Sequence, residues 1–145
     1  MFKHILVPVD GSPTAQLAVA KAIGLARAFD SRITAIFVID PYPFTGVGTD
    51  FAYGQAEYLT AANAEARATL KLTSDALKEA GVPFDTSVVE NHSPWRGVVQ
   101  TAEALPADLI VMGSHGRRGL EKLVLGSVTQ AVLAHTKRSV LVVRD

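Results

Sequence analysis

The sequence predicts an α/β fold: a doubly wound five-stranded parallel sheet with helices on both faces, for which we expect the strand order 3-2-1-4-5. Three observations predict the doubly wound sheet. Five short apolar runs alternate with four helix-periodic segments, and this alternation joins parallel strands through right-handed crossovers. Runs such as Leu109-Ile110-Val111-Met112 and Val140-Leu141-Val142-Val143 are apolar at every position, as expected of strands covered on both faces. The chain has 145 residues, about one domain at roughly 150 residues per domain. A chain of that length buries about 68–70% of its unfolded surface, enough for a core without metal or disulfides.

Each element has its own signal. Ile5 to Val9 is the first strand. Asp10-Gly11-Ser12-Pro13 follows, with Ser12 suited to an N-cap and Pro13 to a first helical position. Ala15, Ala18, Ala22, Leu25 and Phe29 then recur at helical spacing. Arg32–Ile39 reads as the second strand. A loop from Asp40 to about Ala52 carries Tyr42, Phe44, Phe51 and two glycines, and it reads equally as a lid or as a connection. The second helix runs from about Tyr53 to Ala80, with Leu59, Ala62, Ala66, Leu70, Thr73 and Leu77 on one stripe. Gly81 ends it and Pro83 blocks its continuation. Phe84–Val89 is the third strand. Pro94 to about Ala104 is a helix with Trp95, Val98, Val99 and Ala102 inward. Asp108–Met112 is the fourth strand, Gly126–His135 the fourth helix and Ser139–Val143 the last strand. We therefore expect one domain over residues 1–145.

Composition narrows the function. The chain is 48% hydrophobic and 19% charged, with 14 Lys plus Arg against 14 Asp plus Glu. A zero balance argues against a general nucleic-acid binder, which shows a basic domain. The absence of cysteine removes disulfides, zinc–thiolate sites and cysteine nucleophiles. No apolar run approaches the ~20 residues of a membrane helix, so no membrane insertion is expected. Met1-Phe2-Lys3-His4 lacks signal-peptide architecture, and the expected setting is the cytoplasm.

In doubly wound sheets, ligands sit beyond the carboxyl ends of the strands where the strand order reverses, here between strands one and four. After Met112 comes Gly113-Ser114-His115-Gly116-Arg117-Arg118-Gly119, then Leu120 to Leu125, then Gly126-Ser127-Val128-Thr129. Glycines let backbone amides approach a phosphate, and Gly126-Ser127 opens a helix whose free amides and dipole attract an anion. The hydroxyls of Ser127 and Thr129 add donors, and Arg117, Arg118 and Lys122 add positive charge. No Walker A sequence occurs, and Gly11 alone follows the first strand, so neither the P-loop nor the Rossmann fingerprint is present. Asp10 ends the first strand facing this loop. It reads either as a ligand for amino or hydroxyl groups or as an Asx residue turning the chain before Gly11.

The spacing Gly113-x2-Gly116-x9-Gly126-Ser127 resembles the nucleotide-binding signature of the universal stress proteins, in their ATP-binding, UspA-like branch. Val7-Pro8-Val9-Asp10-Gly11-Ser12, Val38-Ile39-Asp40 and Asp108-Leu109-Ile110-Val111-Met112-Gly113-Ser114-His115-Gly116 resemble it too. The likeness spans Lys3 to Val143. It implies an adenine nucleotide alpha hydrolase-like fold, usually a homodimer, binding ATP, ADP or AMP in stress responses, with any Mg2+ or Mn2+ arriving with the phosphates. It implies that Asp10, beside Pro8, contacts base or ribose and that Val38 meets the adenine through its backbone. Met112 and Gly113 would line the ribose and α-phosphate, and Gly116, Gly126, Ser127, Val128 and Thr129 would hold the phosphates. The chain departs from the pattern at Asn91-His92-Ser93-Pro94-Trp95, where a glycine-containing turn is usual. There Trp95 reads as a packing residue and His92 as a loop residue.

The expected function is that of a nucleotide-dependent sensor or regulator, with a slow ATPase as the alternative. A remote alternative is a small serine hydrolase, since Met112-Gly113-Ser114-His115-Gly116 nearly matches a nucleophile elbow and Glu121 and His135 follow in hydrolase order. Met112 in place of the elbow's first glycine argues against it. No catalytic residue and no protein metal ligand is assigned. The apolar last strand, Ser139–Val143, falls at a sheet edge with no helix after it, and such an edge invites pairing with a second copy.

Overall fold

A computed structural model describes residues 1–41, 49–116 and 124–145, with 49–53 described by backbone alone. The elements alternate as expected: β1 (His4–Pro8), α1 (Pro13–Phe29), β2 (Arg32–Ile39), α2 (Thr49–Ala80), β3 (Phe84–Glu90), α3 (Pro94–Ala104), β4 (Leu109–Gly113), α4 (Ser127–His135) and β5 (Ser139–Val143). All pairings are parallel and the order is β3-β2-β1-β4-β5. The reversal of strand order lies between β1 and β4.

The sheet divides two cores by side-chain alternation. Ile5, Val7, Ile33, Ala35, Phe37, Leu109 and Val111 face α1 and α2, meeting Ala18, Ala22, Ala66, Leu70 and Leu77. Leu6, Ile36, Ile110 and Met112 face α3 and α4, meeting Val98, Ala102 and Val132. Helices thus cover both faces, and β1, central in the sheet, has Ile5, Leu6 and Val7 almost wholly buried. Their burial is the main drive to this arrangement, at about 25 cal/mol per Å² of apolar surface removed from water.

The helix ends follow the local chemistry. Ser12 accepts from the Ala15 amide at 3.2 Å with Pro13 in the first turn. Gly81 takes φ +73° and closes a Schellman motif on α2, with Val82 N–H donating to Leu77 O and Gly81 N–H to Lys78 O. α1 ends on Asp30 in the left-handed region, φ 56°, a conformation that Asp adopts more readily than most residues. Several boundaries differ from the sequence reading. β1 is His4–Pro8 rather than Ile5–Val9, α2 begins at Thr49 rather than near Tyr53, β3 extends to Glu90, β4 is Leu109–Gly113 rather than Asp108–Met112, with Gly113 pairing with Val143, and α4 begins at Ser127 with Gly126 as its N-cap. Element ends are where pattern carries least information.

Candidate functional site

The crevice beyond β1 and β4 is assembled by glycines that lie in close contact with their neighbours. A Cβ on Gly113 would lie 2.9 Å from Thr14 Cβ, so α1 packs directly on the end of β4. A Cβ on Gly126 would lie 3.2 Å from His115 Cα, and one on Gly116 would lie 2.6 Å from Asp10 Oδ2. The backbones that follow β4 therefore close on Asp10, at the end of β1, and on the start of α4. Gly126 N–H donates to Ser114 O at 2.7 Å and Ser114 N–H to Val143 O at 2.8 Å, which ties the loop to both α4 and β5.

Asp10 plays the turn role that the sequence allowed: its Oδ1 accepts from Ser12 N–H at 2.9 Å. Its other oxygen is the one near Gly116, so the carboxylate also borders the crevice. Pro8 is half-buried at the end of β1. At Gly126 the helix opens without a side-chain cap, and the first amides of a helix have no partner within it. Ser127 is exposed, Val128 half-buried and Thr129 buried. The Thr129 hydroxyl donates to Gly113 O at 2.9 Å, so its proton is committed to the strand end rather than to an anion. The crevice is thus polarised, with a carboxylate at the β1 end and helix amides at the α4 end.

Val38 contributes through its backbone. Val9 N–H donates to Ile36 O, and Asn91 N–H donates to Ile39 O. Groups alternate sides along a parallel strand, so Val38 turns its N–H and C=O toward β1, one step past the last bond that β1 makes. Its side chain is pinned by Gly97 of α3, where a Cβ would lie 2.9 Å from Val38 Cγ1. The remaining sequence-derived site residue, Met112, is buried with Ile110 against α3 and α4. Arg117, Arg118, Glu121 and Lys122, and residues 42–48 of the 40–52 loop, lie outside the described residues.

One participant carried little sequence signal. Thr14 is fully buried, and its hydroxyl donates to the His115 carbonyl. The clue was a hydroxyl at a core-facing position beside Ala15 and Ala18. His115 lies with Nε2 3.5 Å from Asp145 Oδ1, so the chain's last residue reaches the glycine loop. Ser114 is wholly buried and its hydroxyl has no hydrogen-bond partner among the described residues. A nucleophilic serine needs access and an adjacent base, and His135, the base of the hydrolase reading, instead stacks on Trp95 at 4.1 Å. Trp95 packs against the Val98 core and carries Arg96 over its ring at 5.1 Å. His92 is exposed and 3.2 Å from Asp40. Among the described residues no group of three or more His, Asp or Glu stands ready for a metal, and no helix is long and apolar enough to cross a membrane. A groove between α1 and α2 touches Val9 and Gly11 but does not include the three glycines of the crevice.

A doubly wound sheet with a glycine-built crevice at its switch point defines a class of α/β ligand-binding domains, and comparison identifies the family. The universal stress protein family profile matches residues 1–144. A universal stress protein of Methanocaldococcus jannaschii is 36% identical over 144 residues, covering 99% of this chain and 83% of that protein. The structure of universal stress protein UspA from Lactobacillus plantarum is similar, with TM-score 0.88 at 27% identity, over 98% of this chain and 97% of its own. A universal stress protein solved in complex with cAMP has TM-score 0.74 at 28% identity, over 99% of this chain and 97% of its own. The chain belongs to the universal stress protein family.

Proposed function

We propose that the chain, as one universal stress protein domain over residues 1–145, binds an adenine nucleotide in the crevice between β1 and β4. ATP is the expected ligand, with ADP and AMP as the other occupants of the same cradle. One observation carries the reading: Gly113 abuts Thr14, Gly116 abuts the Asp10 carboxylate and Gly126 lies close against the His115 backbone, and this leaves bare backbone beside the uncapped start of α4. Bare amides at a helix N-terminus suit phosphate oxygens. Asp10 suits hydroxyl or amino groups and disfavours phosphate, which orients the nucleoside toward β1 and the phosphates toward α4. The backbone of Val38 offers a donor and an acceptor to a base edge. The cAMP-bound relative supports this ligand class.

In this proposal Met112 and Gly113 line the ribose side, and Gly116, Ser127 and the amides of Val128 and Thr129 receive the phosphates. A Mg2+ or Mn2+ ion would be held by the phosphates, with the protein supplying the surrounding dipoles. Occupancy then acts as a signal rather than as a catalytic cycle. Hydrolysis requires a group that orients water against the terminal phosphate, and His115, the candidate among the described residues, is turned toward Asp145. We further propose that the protein works in the cytoplasm as a homodimer joined along β5. Mass spectrometry of small molecules released from denatured protein, with calorimetry of ATP added to stripped protein, tests the ligand assignment. Recovery of an adenine nucleotide and saturable ATP binding are expected. No nucleotide released and no heat on ATP addition would overturn it.

A further inference from the structure

The sheet has a second open edge, β3, and its surroundings differ from those of β5. Ile33 N–H donates to Pro83 O, and Asn91 N–H donates to Ile39 O. In a parallel ladder this directs Asp85, Ser87 and Val89 toward β2 and turns the N–H and C=O of Thr86 and Val88 outward. The side chains of the same two residues form the floor of a groove of about 420 Å³, and α2 supplies its wall. That wall carries Arg67, Lys71 and Lys78, spaced so that they share one helix face. Among the described residues no ion pair takes Arg67 or Lys78. Lys71 meets Asp75 at 3.2 Å with both groups exposed, a pairing weak enough for an incoming carboxylate to displace.

An edge strand beneath a row of cations is guarded against apolar or basic strands. The same charges admit an acidic one. We propose that β3 is a docking edge for an extended acidic segment of a partner protein. The segment adds to the sheet through Thr86 and Val88 and sets alternate Asp or Glu side chains against Arg67, Lys71 and Lys78. Strand addition of this kind takes affinity from main-chain hydrogen bonds and selectivity from alternate side chains. A second copy of the chain is the poorer occupant, because two-fold pairing of β3 with itself would set the two cationic rows side by side. The proposal does not depend on the nucleotide reading, since the groove is lined by α2 and β3 alone.

The test uses the full chain and a fluorescent seven-residue peptide alternating glutamate and valine, with an alternating lysine–valine peptide as control. Fluorescence anisotropy should show saturable binding of the acidic peptide and none of the basic one. Arg67→Ala with Lys78→Ala should weaken binding at least tenfold. Val88→Pro should abolish it while circular dichroism stays native, because an edge strand tolerates proline where the amide faces outward. If Val88→Pro does not fold, amide hydrogen exchange on wild type decides: peptide should slow the outward amides of Thr86 and Val88 at least tenfold. Equal binding of both peptides, retained binding by folded Val88→Pro, or unchanged exchange at Thr86 and Val88 would each overturn the proposal.

Discussion

Gly126 shows how one residue type sets the character of the crevice. It lies against the His115 backbone and caps α4 without a side chain. Gly126→Asp would press a side chain on the His115 backbone and bring a negative charge beside the proposed phosphate. Calorimetry should show ATP affinity reduced at least tenfold, about 1.4 kcal/mol, in a protein with native circular dichroism; an unchanged affinity would remove the site. His4 makes a different residue-scale case. Burial, assisted by the nearby Arg32 guanidinium, lowers its pKa below the ordinary 6.5, and its ring shares a 2.7 Å hydrogen bond with Thr34 Oγ1. Above pH 6.5 the ring is neutral folded and unfolded, so it adds no pH dependence. Below that value the unfolded chain takes up the proton first, and stability falls with pH. Relative to wild type, His4→Gln should therefore gain stability as pH drops below 6.5, measured by urea denaturation at several pH values. A constant difference between the two proteins would show that His4 does not titrate between folded and unfolded states.

At the scale of elements, α2 is the longest helix, and it is attached to the sheet along one stripe of apolar side chains. Leu77, fully buried, faces the core that Leu70 and Ala66 share with the sheet. Leu77→Ala should cost about 2–5 kcal/mol through lost burial and a residual cavity, read as a lowered denaturation midpoint at unchanged m-value. A loss below 1 kcal/mol would mean that the neighbouring Val82 and Phe84 collapse into the space. The cap on α1 is a smaller device at the same scale. Ser12 holds the first turn that Thr14 then fastens to the loop after β4, so Ser12→Ala should cost about 1 kcal/mol and soften the crevice wall as well.

For the whole molecule, the two proposals assign different tasks to the two sheet edges. β5 offers the outward amides and carbonyls of Val140 and Val142 and one exposed apolar side chain, Leu141. β3 lies beneath Arg67, Lys71 and Lys78. Pairing of β5 with its own copy would be antiparallel about a two-fold axis and would close at two chains. Light scattering should report a dimer at tens of micromolar. Leu141→Glu, which adds a charge at an exposed position and keeps every backbone donor, should shift the protein toward monomer at least tenfold in concentration. Wild type that runs as a monomer would end the homodimer proposal, and a dimeric, folded Leu141→Glu would move the interface away from β5.

The alternation of strands and helices, the helix faces and the placement of Gly113, Gly116 and Gly126 were legible in the chain, because each rests on local pattern: apolar runs, helical periodicity and turn residues beside them. The resemblance carried by those glycines, Asp10 and Val38 likewise pointed to the family to which the chain belongs. Other features depend on residues far apart in sequence and emerge only on folding. Thr14 reaches the His115 carbonyl and Asp145 reaches His115, contacts across 101 and 30 positions, and no local pattern encodes which backbone group a hydroxyl will find. The Thr129 hydroxyl read as a free donor until packing set it against Gly113 O. The cationic wall over β3 is likewise a tertiary fact. Helical spacing puts Arg67, Lys71 and Lys78 on one face, and the crossover from α2 into β3 sets that face above an edge strand.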